Sequence, residues 1–135
     1  MIDTNMLMVN DWICIDGDTD YLSPTQVKQI RVNEIVADFD VYYKCNDINP
    51  IPLSDEIFEN NNFNFEWGKH THTWWIASEK SYISIVVEGQ YNPGEVNYTI
   101  MFDGQFKVND TIEIKYVHEL QHILRIAFPE KEIIL

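Results

Sequence analysis

Residues 115–128, KYVHELQHILRIAF, are the only stretch of the chain whose apolar spacing sustains a long helix. At about 100° per residue, Val117, Leu120, Ile123, Leu124, Ala127 and Phe128 fall on one stripe. Pro129 ends the run because it brings no backbone donor. Apart from one short helical stretch at residues 54–61, the chain before this helix is broken into short strand-like pieces. The predicted class is α+β: a small N-terminal bent antiparallel sheet or barrel, then a second antiparallel sheet packed by one C-terminal helix.

In the first part of the chain DWICI, VKQIRVNEIV and FDVYYKC read as strands, with DGDTDYLSP as a loop. Phe39, Val41, Tyr43 and Cys45 alternate with Asp40, Tyr42 and Lys44, the period-two pattern of a half-buried strand. NDINPIPL reads as a proline-broken extended linker. SDEIFENN then supplies one or two helical turns, with Ser54 as cap and Asp55 and Glu56 at the positive end of the helix dipole, ending at Asn60-Asn61-Asn62. THTWWIA, SYISIVVEGQ, VNYTIMFDG and QFKVNDTIEI form the second set of strands, with turns at Glu79-Lys80, Asn92-Pro93-Gly94 and Asp103-Gly104, and KEIIL returns as an edge strand. The 135 residues suit one compact domain, divisible into a barrel-like subdomain 1–48 and a sheet-plus-helix subdomain 53–135.

Charge narrows the partners. Residues 1–66 hold 13 acids against 3 bases and residues 67–135 hold 9 against 6, giving −13 for the whole chain. Such a field repels phosphate backbones and anionic membranes and attracts basic protein surfaces. The expected partner is therefore a host protein with a basic nucleic-acid-binding surface, with no direct nucleic acid and no membrane. Cys14 and Cys45 lack C-x-x-C spacing and read as free thiols of a reducing cytoplasm. No secretory leader is read, and the longest apolar run, residues 83–87, is far too short to span a bilayer.

Within the helix lies H-E-x-x-H, His118, Glu119 and His122, the spacing with which a zinc hydrolase holds its metal and its general base. A third ligand is missing from the pattern: the motif continues as ILRIAF, and only Glu130 and Glu132 remain beyond Pro129. The helical wheel also sets His118 and His122 opposite the apolar stripe, so both are expected to face solvent. The four histidines fall into two pairs, His70 and His72 on a strand face and His118 and His122 on the helix, and their convergence would make an imidazole site for zinc or another transition metal. The preferred reading is that no metal or other cofactor is bound and that catalytic residues are absent. DGDTD sets Asp16, Asp18 and Asp20 like the start of a calcium loop, but the sixth position is Tyr21 and the twelfth Val27, so it reads as a solvated turn.

The aromatic residues offer another use of the surface. Trp74 and Trp75 are adjacent and on a strand must point to opposite faces. An exposed tryptophan among acids makes a protein-binding anchor, and the candidate contact residues are Asp38, Asp40, Tyr42, Asp55, Glu56, Glu59, Trp67 and Trp75. No Ser-His-Asp order, phosphate loop or nucleotide fingerprint is present.

NDWICIDG at residues 10–17, DINPIPLSDEIFENNNF at 47–63 and IKYVHELQHILRIAFPEKEIIL at 114–135 together resemble a set of small acidic proteins encoded by phages and mobile elements of Bacteroidota. Proteins of that set open with a short barrel-like strand region, pass through an I-x-P-I-P-L-[ST]-x-E-x-L-like linker and helix, and end in a Y-V-H-x-L-Q helix with an acidic, apolar tail. The resemblance covers most of the chain in order, and its motifs are structural. Its pattern fixes neither the Glu nor the second His of the H-E-x-x-H string, and Asn is common where His122 stands here. It implies a phage or prophage context, and with it an inhibitor of host defence such as an anti-CRISPR protein blocking an RNA-guided nuclease or its guide binding. A structural or accessory phage protein that associates with itself is the further alternative.

Overall fold

Short alternating runs near the N-terminus become strands: Trp12–Ile15 (β1), Ser23–Gln26 (β2), Gln29–Arg31 (β3), Glu34–Val36 (β4), Tyr42–Lys44 (β5) and Ile48–Pro50 (β6). The structure, a computed structural model, describes residues 2, 4–15, 23–31, 33–37, 41–88, 96–103 and 112–135. The chain divides into two compact units, Met1–Pro52 with Tyr116–His122, and Leu53–Lys115 with Ile123–Leu135.

In the first unit β1 is the middle of a three-stranded antiparallel sheet, paired with β2 (Trp12 opposite Gln26) and with β6 (Ile13 opposite Pro50). A second sheet runs β3-β4-β5, with Asn33 at φ 62° in the turn after β3, a conformation that asparagine tolerates better than most residues. Both sheets feed one apolar cluster: Ile13 and Ile48 from the first, Ile35 from the second, with Ile2, Leu7, Val27 and Ala37 between. Each of the fully buried isoleucines stabilises the unit by roughly 1.5–3 kcal/mol. Of the expected linker NDINPIPL, Asn46 and Asp47 fall in a 3-10 turn, Cys45–Asp47, and Ile48–Pro50 form β6, while residues 51–53 belong to no strand or helix. Ile48 is buried opposite Ile15, and Pro50 is accommodated because β6 is an edge strand.

The second unit opens with a helix, Asp55–Asn60 (α1), and continues as Asn64–Trp67 (β7), His72–Ala77 (β8), Tyr82–Glu88 (β9), Asn97–Asp103 (β10) and Ile112–Ile114 (β11), an antiparallel sheet in the order β11-β10-β9-β8-β7. Ser54 is extended and makes no side-chain cap hydrogen bond, contrary to the sequence expectation. Register places Trp74 opposite Ile85, and Tyr98 opposite both Val87 and Ile114, on the buried face. Trp75 lies on the other face, half-buried and stacked on Tyr82 at 5.9 Å, so the two adjacent tryptophans do part. Phe58 of α1 packs on the buried face, its ring 6.0 Å from Trp74, 5.3 Å from Phe63 and 5.8 Å from Tyr98. The turn at Glu79-Lys80 forms, with Ser78 N–H donating to Ser81 O. The turns proposed at Asn92-Pro93-Gly94 and at Gly104 lie outside the described residues.

The long helix is Val117–Ala127 (α2), its first six residues grouped with the first unit and the remainder with the second. Val117, Leu120, Leu124 and Phe128 of the apolar stripe are buried. The tail after Pro129 forms no strand. It is held by Asn61, whose side-chain amide donates to Ile134 O (2.9 Å) while its oxygen accepts from Ile134 N–H (2.8 Å), so one side chain replaces a strand pairing. Among the described residues no helix is long and apolar enough to cross a membrane.

Candidate functional site

The H-E-x-x-H string is absorbed into the first unit. Asp11, fully buried just before β1, accepts the N–H of Met8 on Oδ2 (2.7 Å), and the same oxygen lies 2.7 Å from His122 Nε2. One residue earlier on α2, Gln121 accepts the N–H of Trp12 (2.9 Å) and donates to Asn10 O (3.1 Å). Glu119 turns back along the helix, and its Oε2 accepts the N–H of Tyr116 at 3.0 Å, the reach of a capping box that satisfies an orphan helix donor.

His118 does not face solvent as the helical wheel predicts. It is 3% exposed, its ring stacked 5.8 Å from Tyr116 and edge-on to His122 at 5.8 Å, and its Nδ1 makes no hydrogen bond among the described residues. Burial lowers its pKa below the usual imidazole value; the charges of Asp11 and Glu119 oppose that shift, and His122 adds to it. The wheel fails because it sees only the apolar stripe. The polar face of the first helical turns is covered by residues 10–12, which bring their own hydrogen-bonding partners.

A hydrolase would need Glu119 and both histidines to share one metal-facing pocket. Glu119 is instead directed at the helix start and His122 at Asp11. Among the described residues no group of three or more His, Cys, Asp or Glu is placed to hold a metal ion. The expected strand-face pair also separates: His72 opens β8, whereas His70 is exposed in the turn before it. His72 is buried, and its Nε2 lies 2.7 Å from Asp55 Oδ2.

Asp55 is the organising acid of the second unit. Its other oxygen accepts the indole N–H of Trp74 at 3.1 Å, and burial together with the Asp55 charge pushes the Tyr98 hydroxyl up to about 12. From His72 an aromatic array runs to the sheet edge: Phe65 lies 5.4 Å and Trp67 6.0 Å from its ring, Phe65 and Trp67 meet edge-on at 4.9 Å, and Phe65 meets Trp74 at 4.8 Å. Trp67 is 74% exposed.

The proposed contact residues thus have different fates. Asp55, Glu56, Glu59 and Trp67 belong to the second unit, with Glu56 and Glu59 exposed on α1 and the Asp55 side chain about half exposed. Trp75, on the same sheet, is engaged by Tyr82. Tyr42 is exposed in the first unit, with the Arg31 guanidinium 4.6 Å over its ring. Asp38 and Asp40 lie outside the described residues, as does DGDTD. Sequence reading missed β7 and with it Phe65, although the alternation Phe63, Phe65, Trp67 against Asn62, Asn64, Glu66 carries the period-two signal. Comparison with protein-family models, with curated proteins and with solved structures finds no match to the chain.

Proposed function

We propose that this chain is a non-enzymatic acidic inhibitor that binds a basic, nucleic-acid-handling host defence protein in the bacterial cytoplasm, in the manner of an anti-CRISPR protein blocking an RNA-guided nuclease or its guide binding. The observation that carries the reading is Trp67, 74% exposed on a strand beside Glu66 in a chain of net charge −13. An indole so solvated gives little to its own fold, whereas large aromatics are the residues that dominate interfaces once buried by a partner. The charge speeds encounter with a cationic groove and disfavours contact with the nucleic acid itself. Glu56 and Glu59 are exposed on α1 and supply acids to the same unit. The resemblance to phage-encoded proteins supports the host-defence setting, and the engagement of Glu119 and His122 within the fold supports a role without chemistry.

The test is capture from host lysate by the tagged chain at low and high ionic strength, with the retained protein then challenged with its RNA and the metal content read on the same sample. The expected result is a basic nucleic-acid-binding protein held at low salt, released at high salt and displaced by RNA. Retention indifferent to salt, or no partner at all, would remove the charge argument. One zinc per chain, lost together with an activity in Glu119→Gln, would restore the hydrolase reading.

A further inference from the structure

Among the described residues the five-stranded sheet ends at β7, whose four residues Asn64, Phe65, Glu66 and Trp67 are all exposed. Natural edge strands are usually blunted by lysine, proline or a bulge, because a row of open backbone donors and acceptors invites another strand. Between Asn64 and Trp67 there is neither lysine nor proline, and every residue has a direct partner on β8, from Asn64 opposite Trp75 to Trp67 opposite His72. The hydrogen-bonding phase can be read from the turn. Gly68 N–H donates to Thr71 O at 2.8 Å, which makes 68/71 a hydrogen-bonded pair. Such pairs alternate along an antiparallel ladder, so Trp67/His72 and Phe65/Trp74 are the non-bonded pairs. The backbone groups of Phe65 and Trp67 therefore point away from β8, to the open edge. On one face of that edge stand the two exposed rings and, beyond His72, the Asp55 carboxylate; on the other stand Asn64 and Glu66.

We infer that the open edge of β7 is the docking site for an extended, lysine- or arginine-bearing segment of a partner protein, which adds to the sheet as its sixth strand. The inference rests on the binding reading above and names the surface and the partner's chemistry. Strand addition supplies main-chain hydrogen bonds, and alternate side chains supply selectivity. A cationic side chain on the aromatic face would lie over Trp67, a cation–π partner of the strongest ring type, and one on the opposite face would meet Glu66. Charge also selects against a second copy of this chain: two β7 edges would bring Glu66 carboxylates together between bodies of net charge −13 each.

Isothermal titration of the full chain with a short peptide alternating lysine and valine decides the matter, run beside the same peptide N-methylated at every second residue and an acidic counterpart. The expected result is binding of the lysine peptide alone, weakened at least about tenfold by backbone methylation and by Trp67→Ala, and weakened further by added Glu66→Lys. Trp67 is exposed, so its variant should unfold at the parent temperature; if it does not, Phe65→Ser provides a second change at the edge. Equal affinity for the methylated peptide would reduce the contact to charge alone and overturn strand addition. Concentration-dependent dimers abolished by Trp67→Ala would assign the edge to self-association and overturn it equally. If a salt-sensitive basic partner from lysate is held undiminished by Trp67→Ala with Glu66→Lys, the inhibitor reading stands and this edge is not its site.

Discussion

Two carboxylate–imidazole pairs share the same 2.7 Å Nε2–Oδ2 separation and are built with opposite members inside. In the first unit Asp11 is fully buried and the His122 side chain 29% exposed; in the second the His72 side chain is 10% exposed and that of Asp55 47%. A buried carboxylate is tolerable only with partners that replace water, whereas a half-exposed one keeps water as a partner. The first pair is therefore a fastening that the fold depends on, joining segments 111 residues apart, and the second leaves a charge at the surface, beside Phe65 and Trp67. One geometry serves structure in one unit and leaves recognition open in the other.

The sharpest way to break this comparison is His122→Ala. It strips a fully buried carboxylate of its imidazole, and a loss of about 3 kcal/mol in urea unfolding is expected, the low end for a broken buried pair because Met8 N–H still donates to Asp11. A loss below about 1 kcal/mol would show that water serves Asp11 as well as His122 does, and the asymmetry between the pairs would vanish. Asp11→Asn comes next at about 1.5 kcal/mol, since the amide oxygen can still accept from Met8 while the charge that His122 faces is gone. Combining the two changes should cost less than their sum, because both remove the same contact.

Neither pair was legible in the sequence, and the reason is physical. Period and punctuation report on neighbours along the chain, so α2, the strands at 72–77 and 82–88 and the turn at Glu79-Lys80 could be read directly. Asp11 with His122, and Asn61 with Ile134, are separated by 111 and 73 residues, and no local pattern encodes such a meeting. The wheel placed His118 in water because it weighs hydrophobicity, yet a polar helix face is buried whenever the covering segment supplies matching donors and acceptors, as residues 10–12 do for Gln121 and His122. Prolines 50 and 52 disguised β6 as a linker, although an edge strand has room for residues that cannot donate. The Y-x-x-E spacing of Tyr116 and Glu119 did encode the cap, hidden under the more conspicuous metal motif.

Asp55→Ala probes the other pair. Because its carboxylate is half exposed, solvent can take over its hydrogen bonds, and a loss of about 1 kcal/mol is expected, well below that of His122→Ala. The same variant has an alkaline signature. Tyr98, held protonated to about 12 first by burial and then by Asp55, contributes stability that is complete below the ordinary value of 10 and is lost as pH rises towards 12. Without Asp55 that loss should be complete at a lower pH, with burial still keeping the end point above 10. An unchanged alkaline limb in pH-dependent unfolding would show that the Asp55 charge does not reach Tyr98.

The smallest effect concerns His118, whose pKa burial lowers against the opposing charges of Asp11 and Glu119. Its folded-state pKa lies below the unfolded value of 6.5, so the unfolded chain binds this proton first as pH falls. Stability from His118 is thus fully present above about 6.5 and drains away as pH drops through the lower folded value. His118→Phe keeps a flat ring against Tyr116 and cannot be protonated, so it should leave neutral-pH stability near the parent's and flatten the acid limb between pH 7 and 5 by up to one proton's worth of slope. An acid limb as steep as the parent's would place that proton elsewhere and mean that His118 meets water in solution, returning the first histidine of H-E-x-x-H to the surface that the helical wheel assigns it.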